Sequence, residues 1–236
     1  MAGKFIGVGV GPGAADLLTM RAVNTLKNAD VVCIPRSGKD NAVIALQTAG
    51  EYISPTAEIL EINTPMTRDK SVLEREWQKG AAEIVKHLNA GKTVTFITIG
   101  DSTLFSTYTY LLAKVRTLAP QAQYESVPGV TSFAAASAAL NMALAEGNEK
   151  LAIIPAVDDP AELDDVLLRF PNAVLMKVAG KYDEIVTVLE RNACLDKAVF
   201  VSRVGFEEQF ITRNLPSLCG KKQDYLSMII VKQGGI

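Results

Sequence analysis

Strand-like and helical segments alternate along the first half of this chain, and that alternation restricts its fold more than any other feature. Short apolar runs rich in Val and Ile are each followed by a segment with helical periodicity. This order is typical of a mainly parallel sheet with helices on both faces. The predicted strands are residues 5–10, 31–34, 58–62 and 93–99, and the predicted helices are residues 14–28, 41–51, 70–90 and 103–118.

The pattern breaks at a polar, proline-marked stretch over residues 119–123, and a second series follows it. The last three strands of that series lack long helical connections, which predicts a mixed, partly antiparallel sheet. We therefore expect two consecutive α/β domains, residues 1–121 and 122–236, with a ligand cleft between them. In the second domain a first strand is predicted to end at residue 127, and the further predicted strands are residues 150–154, 173–178, 198–201, 209–212 and 225–231. The predicted helices of this domain are residues 133–141, 161–169 and 182–192.

Composition excludes several classes of protein. With 48% apolar and 21% charged residues among 236, the chain can build a full core. A net charge of −2 argues against a general nucleic-acid binder, which needs basic surface to neutralise phosphates. Cys33, Cys194 and Cys219 are far apart and lack the spacing of a zinc site, so we predict no metal site. The odd number and wide spacing of the cysteines, with the lack of a long apolar stretch, predict a cytoplasmic protein without a signal peptide.

Two motifs follow predicted strands, and both are candidates for a binding site. The stretch TIGDSTLFSTYTY (residues 98–110) ends a buried strand on Gly100 and Asp101, and ligands of open α/β sheets bind outside the carboxyl ends of strands. Asp101 can equally be the N-cap of the next helix. The stretch VPGVTS (residues 127–132) can likewise be an ordinary turn with Thr131 as a cap. Their joint occurrence, one in each predicted domain, favours one shared site.

The glycine-rich stretch GVGVGPG (residues 7–13) also connects a strand to a helix. It departs from the dinucleotide-binding pattern because Pro12 stands where the third glycine lets helix and strand pack closely. We favour a glycine turn whose missing side chains let a bulky ligand or the second domain approach. Gly11 and Pro12 are therefore predicted to lie at the substrate site.

Taken together, these motifs resemble the tetrapyrrole methylases, the S-adenosylmethionine-dependent enzymes of the cobalamin and sirohaem pathways. The matching segments are residues 7–13, 100–101, 127–132 and 225–227, in that order and over nearly the whole chain. Within the family, residues 96–107, 127–135 and 175–178 look most like the branch that methylates precorrin-2, or its cobalt complex, at C20. Ser102 is a departure, since many relatives carry proline there, and it predicts a less rigid loop.

The resemblance implies two α/β domains, a homodimer, and S-adenosylmethionine bound in the cleft between the domains. The implied reaction is methylation of C20 of precorrin-2 or cobalt-precorrin-2. Four alternatives stay open: another ring carbon, a protein substrate as in diphthine synthase, a tetrapyrrole carrier without turnover, and a nucleotide-binding regulator. Carried over by position, the cofactor contacts are Thr98, Gly100, Asp101, Thr103, Thr131 and Ser132, with Met176, Val204, Leu226 and Ser227 from the second domain.

The implied chemistry asks little of the protein beyond alignment. Methyl transfer from a sulfonium is an in-line displacement, so catalysis rests on positioning donor and ring carbon. C20 must later lose a proton, for which Asp101, Tyr108, Tyr110 or water are candidate acceptors. A carboxylate-rich ring also requires a local basic patch. Arg36, Lys39 and Lys177 are the predicted substrate-binding cations, and Arg21, Arg68 and Arg203 are further candidates, although each can instead be a solvated surface charge.

Overall fold

A computed structural model describes residues 2–36, 41–155, 159 and 162–235, with the backbone alone for residues 41–43. The chain divides into two units, Met1–Thr131 and Ser132–Ile236. The boundary expected between residues 121 and 122 lies earlier than this division. The difference arises because Gln123–Val127 pairs with the first strand and so adds a fifth strand to the first sheet.

The first unit is a five-stranded sheet in which every pairing is parallel, as predicted. Its strands are β1 (Lys4–Gly9), β2 (Val31–Arg36), β3 (Glu58–Asn63), β4 (Thr93–Thr98) and β5 (Gln123–Val127). Its helices are α1 (Met20–Lys27), α2 (Asn41–Ala49), α3 (Lys70–Asn89) and α4 (Tyr108–Leu118). The strand order β3-β2-β4-β1-β5 places β4 and β1 in the interior of the sheet.

Alternation along the strands gives this sheet a core on each face. Phe5 belongs to one cluster of buried side chains, together with Phe96 and Ile84, whereas the next residue, Ile6, belongs to the other, together with Leu26. Successive strand residues point to opposite faces, so both faces need a helical cover. The βαβ crossovers supply it.

Helix α4 begins at Tyr108, later than the predicted start at residue 103. Side chains within the loop hold its backbone in turns instead. The N–H of Thr103 donates to Asp101 Oδ1 at 2.8 Å, and the N–H of Tyr108 donates to Ser106 Oγ at 3.2 Å. Such local bonds from Asp and Ser compete with helix formation. The result is an irregular loop over residues 99–107.

The second unit contains a mixed sheet, which confirms the sequence prediction. Its strands are β6 (Leu151–Ile154), β7 (Asn172–Met176), β8 (Ala198–Ser202), β9 (Phe210–Thr212) and β10 (Ser227–Lys232). Its helices are α5 (Ser132–Ala139), α6 (Glu162–Arg169) and α7 (Tyr182–Arg191). The order is β6-β7-β10-β8-β9, with β6 and β7 parallel and the other pairs antiparallel. All six residues of β10 are buried.

Within the described ranges, no helix combines the length and the apolar character that crossing a bilayer requires.

Candidate active site

Three neighbouring strand ends bring the predicted motifs of the first unit together. Strands β4, β1 and β5 are adjacent and parallel, so their carboxyl ends lie at one edge of the sheet. The glycine-rich stretch follows β1, the loop over residues 99–107 follows β4, and residues 128–131 follow β5. This edge is where open α/β sheets bind ligands.

Gly9, Gly100 and Gly129 meet at this edge, backbone against backbone, and we call this the three-glycine contact. A Cβ on Gly9 would lie 2.5 Å from the Gly100 carbonyl oxygen and 2.7 Å from the Gly129 nitrogen. A Cβ on Gly129 would overlap the same oxygen and lie 2.7 Å from the carbonyl carbon of Gly9. Gly11 and Gly100 also exchange backbone hydrogen bonds of 2.7 and 3.2 Å. Glycine is required here because any side chain would force the strand ends apart.

Gly100 has a second property that suits a binding site. Its φ is +74°, in the left-handed region that favours glycine, and a Cβ built on it would meet no atom of the described residues within 4 Å. The backbone turn therefore leaves one side of this corner clear, where a ligand can approach the main chain.

Asp101 joins two of the three loops. Its Oδ1 accepts the N–H and the hydroxyl of Thr103 at 2.8 and 2.6 Å, and its Oδ2 accepts the N–H of Gly129 at 2.9 Å. Partial burial alone would raise the pKa of Asp101, but the bonds from Thr103, Gly129 and the Leu104 N–H together lower it. A carboxylate with both oxygens engaged and a lowered pKa is a weak base. Asp101 therefore suits loop positioning better than the predicted proton acceptance, and it is not the cap of α4.

Ser102 anchors the same loop, contrary to the expected loss of rigidity. Its side chain is fully buried, and its hydroxyl donates to the Val127 carbonyl oxygen at 3.0 Å. Proline would have restricted the backbone at this position but lacks such a donor. The serine thus ties the loop after β4 to the end of β5.

The two tyrosines predicted as proton acceptors occupy different environments. Tyr108 is completely buried beneath Gly7, where a Cβ would overlap the phenol ring. Its hydroxyl donates to the Glu125 carbonyl oxygen at 2.8 Å, and burial raises its pKa. This corrects the predicted role, since a group enclosed in the core cannot reach a substrate. Tyr110 is 53% exposed and stacks on Trp77 at 4.3 Å between ring centroids, and its catalytic role stays a prediction.

Of the predicted cations of the first unit, Arg21 lies away from the strand-end site. It pairs with Glu125 in a pocket of about 500 Å³ that is also lined by Lys4 and Thr93, the first residues of β1 and β4. That pocket belongs to the amino-terminal ends of the strands, opposite to the edge expected for Arg21.

The other predicted substrate contacts of the first unit have mixed outcomes. Arg36 ends β2, as expected, and pairs with Glu61 at 3.1 Å. Arg68 is exposed between β3 and α3, and Lys39 lies outside the described residues. Gly11 and Pro12 are buried, so their contact with a substrate stays a prediction.

The second unit gathers its predicted cofactor residues at one edge of its own sheet. Met176 ends β7 and Ser227 begins β10, and the register pairs Met228 with Met176 and Ser227 with Ser202. The Arg203 N–H donates to the Leu226 carbonyl oxygen at 2.9 Å. Val204 follows β8 at the same edge and is buried. The predicted residues Met176, Val204, Leu226 and Ser227 are therefore neighbours.

Two basic residues at this edge differ in their partners. Arg203 pairs with Asp224 at 2.9 Å, and Asp224 also accepts the Leu226 N–H at 2.7 Å. Lys177 forms no hydrogen bond or ion pair with any residue that the structure describes. Desolvation of its ammonium group lowers its pKa although the residue as a whole is exposed. Within the described part of the chain, Lys177 thus differs from Arg203 in having no protein partner at this edge.

Sequence reasoning missed Asp224 and Phe105. Asp224 organises the backbone just before β10, because it accepts the Leu226 N–H and the Ser227 hydroxyl. The sequence signal for it is an Asp shortly before a strand, since Asp often accepts the backbone N–H two residues further on. Phe105 has a φ of +51° and is 46% exposed. Nothing in the surrounding sequence indicates either property. Among the described His, Cys, Asp and Glu side chains, no three come together as a metal site requires.

Comparison with known proteins agrees with this arrangement. The family model for Tetrapyrrole (Corrin/Porphyrin) Methylases matches residues 4–218. The chain is 34% identical over 234 residues to the cobalt-precorrin-2 C(20)-methyltransferase of Salmonella typhimurium, covering 99% of this chain and 98% of that protein. It is 29% identical over 241 residues to the precorrin-2 C(20)-methyltransferase of a Sinorhizobium species, covering 97% and 95%.

Solved structures share the fold. A cobalt precorrin-4 methyltransferase superposes with a TM-score of 0.74 at 18% identity, covering 97% of this chain and 94% of the other. The uroporphyrin-III C-methyl transferase of Thermus thermophilus, in complex with S-adenosylhomocysteine, gives 0.68 at 21% identity, covering 98% and 99%. The family model, the relatives and the fold agree, and the chain belongs to the tetrapyrrole (corrin/porphyrin) methylases.

Proposed function

We propose that this protein is an S-adenosylmethionine-dependent methyltransferase of cobalamin biosynthesis that methylates C20 of precorrin-2 or cobalt-precorrin-2. One observation carries the proposal: 34% identity, sustained over 99% of the chain, to a relative with that activity in its name. The likeness spans both units, so it includes the strand-end motifs of each.

The methyl donor is proposed to bind at the strand ends described above. The open side of Gly100 supports this, because a ligand can contact the backbone there without meeting a side chain. S-adenosylmethionine supplies a methyl group on a sulfonium, and the protein has to hold and align it. The proposed contacts are Thr98, Gly100, Asp101, Thr103, Thr131 and Ser132, together with Met176, Val204, Leu226 and Ser227.

The proton released from C20 needs an acceptor outside the core. Tyr110, which is exposed, and water are the acceptors that we retain, whereas Asp101 is assigned to positioning. Tyr108 is assigned to packing because its side chain is completely buried.

A Tyr108→Phe variant tests that last assignment. Loss of the hydroxyl that donates to Glu125 should lower the free energy of unfolding by about 1 kcal/mol. The turnover number should stay within about twofold of wild type, since the ring still fills the space beneath Gly7. Urea denaturation and steady-state kinetics measure both effects. A tenfold fall in the turnover number with unchanged stability would indicate that Tyr108 takes part in the reaction.

The ring substrate carries many carboxylates, and Lys177 is proposed as one of the cations that bind them. Its ammonium group has no described partner to displace, so it can pair with a carboxylate without breaking an existing bond. Arg36 is a second candidate, because its exposed pair with Glu61 is worth at most about 1 kcal/mol and can rearrange. Gly11, Pro12 and Lys39 remain proposed substrate contacts on the sequence reasoning given above.

For Lys177→Met we expect the KM for the tetrapyrrole to rise about tenfold, since one charged hydrogen bond to a carboxylate is lost. The KM for S-adenosylmethionine should not change. Lys181→Met is the matched control, because Lys181, just before α7, already pairs with Glu184 at 2.9 Å. Equal kinetics for the two variants would remove Lys177 from the site.

Anaerobic incubation with methyl-labelled S-adenosylmethionine tests the activity itself. The acceptor is precorrin-2, supplied with and without cobalt, and the ring is analysed by mass spectrometry and carbon NMR. Label at C20 supports the proposal, and the preferred acceptor identifies the natural substrate. Label at another carbon would indicate a different member of the family. Binding of the ring without any label would favour a carrier.

We also propose a cytoplasmic homodimer, on the basis of the family resemblance and the unpaired cysteines. Sedimentation velocity at micromolar concentration measures the oligomeric state, and a single monomer boundary would contradict the dimer.

A further inference from the structure

Phe105 stands out in the loop that follows β4, because two unfavourable features coincide on one side chain. Its φ of +51° lies in the left-handed region, which a bulky residue rarely adopts. The residue is nevertheless 46% exposed, so burial offsets the backbone strain only in part. Strained residues of this kind persist where the surrounding structure holds them, and they concentrate at functional sites.

The surrounding loop holds Phe105 firmly. Ser102 and Ser106 are buried on either side of it, and Ser102 bonds to Val127 at 3.0 Å. Asp101 accepts the Thr103 N–H, and Ser106 accepts the Tyr108 N–H. Phe105, which is 46% exposed, therefore stands on a fixed backbone rather than on a loose one.

From this geometry we infer that Phe105 is a substrate-positioning residue, whose ring packs against the apolar face of the tetrapyrrole. The inference rests on the proposed function. Phe105 lies four residues after Asp101, at the carboxyl end of an interior strand. A conjugated macrocycle offers an apolar face between its carboxylates, and an aromatic ring makes large, rigid contact with such a face.

Two substitutions separate contact from structure. Phe105→Leu keeps an apolar side chain and the same backbone conformation, and we expect affinity for precorrin-2 to fall about tenfold. Phe105→Gly relieves the left-handed strain, so its melting temperature should equal or exceed that of wild type. Its affinity for precorrin-2 should fall further, by about 30-fold. If Phe105 had a purely structural role, Phe105→Gly would instead lower the melting temperature. Phe105→Tyr should restore binding to within about threefold.

Binding is measured anaerobically without the methyl donor, so that no turnover occurs. Quenching of Trp77, the single tryptophan of the chain, reports the dissociation constant of precorrin-2. Calorimetry reports that of S-adenosylmethionine, which should be unchanged in every variant. Phe210→Leu is the matched control, because Phe210 is 47% exposed on strand β9 of the other unit.

The outcomes discriminate among explanations. Unchanged affinity for precorrin-2 in Phe105→Gly overturns the inference, and so does an equal loss of affinity for S-adenosylmethionine. Dissociation of a dimer by Phe105→Leu would also overturn it, since the ring would then contact a second copy. If wild type methylates precorrin-2 and Phe105→Leu does so equally well, the inference alone fails. If wild type neither binds nor methylates the ring, the proposed function fails with it.

Discussion

Replacing Gly129 by alanine is expected to lower the free energy of unfolding by about 3 kcal/mol and the rate of methyl transfer by at least about 100-fold. The added Cβ would overlap the Gly100 carbonyl oxygen and lie 2.7 Å from the carbonyl carbon of Gly9. Both are backbone atoms of other strand ends, so no side chain can rotate away. Relief requires the loops after β1, β4 and β5 to separate, and that separation displaces the proposed donor site.

Gly50→Ala is the control for the general effect of losing a glycine. Gly50 lies in the same unit, and a methyl group there meets no atom within 4 Å in the part of the chain that the structure describes. Its substitution should change stability by less than about 1 kcal/mol and leave activity unaltered. Urea unfolding and initial rates measure both variants. If Gly129→Ala behaves like Gly50→Ala, the three-glycine contact is dispensable.

Asp101→Asn is expected to reduce kcat/KM for S-adenosylmethionine by about 100-fold. The carboxylate accepts donors at both oxygens: the N–H and hydroxyl of Thr103 at Oδ1, and the Gly129 N–H at Oδ2. An amide has one oxygen, so its NH₂ group must oppose one of these donors. The loop after β4 or the loop after β5 then loses its bond to residue 101, and the backbone beside Gly100 is held less firmly, by the bonds from Gly11 and Ser102 alone.

Asp69→Asn provides the comparison for this change. Asp69 also accepts backbone N–H groups, from Ser71 and Val72 at the start of α3, and Asn serves almost as well as Asp in that capping role. We expect the activity of the Asp69→Asn variant to equal that of the wild type. Comparable losses in both variants would mean that the effect of Asp101→Asn is not specific to the site.

The contribution of the Asp101 carboxylate depends on pH in a definite direction. Its pKa in the folded protein is lowered, so the stabilisation is present above the ordinary pKa of Asp and is lost as the pH falls through the lowered value. Wild type should therefore keep its affinity for S-adenosylmethionine down to about pH 4. The Asn variant should lack this acidic transition, which calorimetry across pH 3–7 would reveal.

Local patterns predicted the elements well, because alternation and helical periodicity act within short stretches. Strand β3, for example, was expected at residues 58–62 and is found at Glu58–Asn63. Assignment of β5 to a sheet was beyond that reasoning, since its partner β1 is more than 100 residues away and pairing depends on tertiary contacts. The late start of α4 depended on bonds from Asp101 and Ser106 that compete with the helix.

The site was predictable where backbone constraints leave a mark in the sequence. Glycines at strand ends indicated close approach, and the three-glycine contact is the result. The orientation of individual side chains left no such mark. Tyr108 and Tyr110 are two residues apart on one helix, yet one is enclosed in the core and the other stacks on Trp77 at the surface. Helical geometry separates them by about 200° around the axis, and only the placement of α4 decides which one is buried.

Strand β10 has a consequence for the order in which this chain can fold. It lies between β7 and β8, so before it is synthesised the pairs β6–β7 and β8–β9 have no common partner. Each pair then presents an unpaired edge, and such edges invite aggregation. The first unit, by contrast, has all five strands once Val127 has emerged from the ribosome. We expect the amino-terminal unit to fold early. The second unit is expected to fold only after β10 is synthesised, and its strand edges stay unpaired until then.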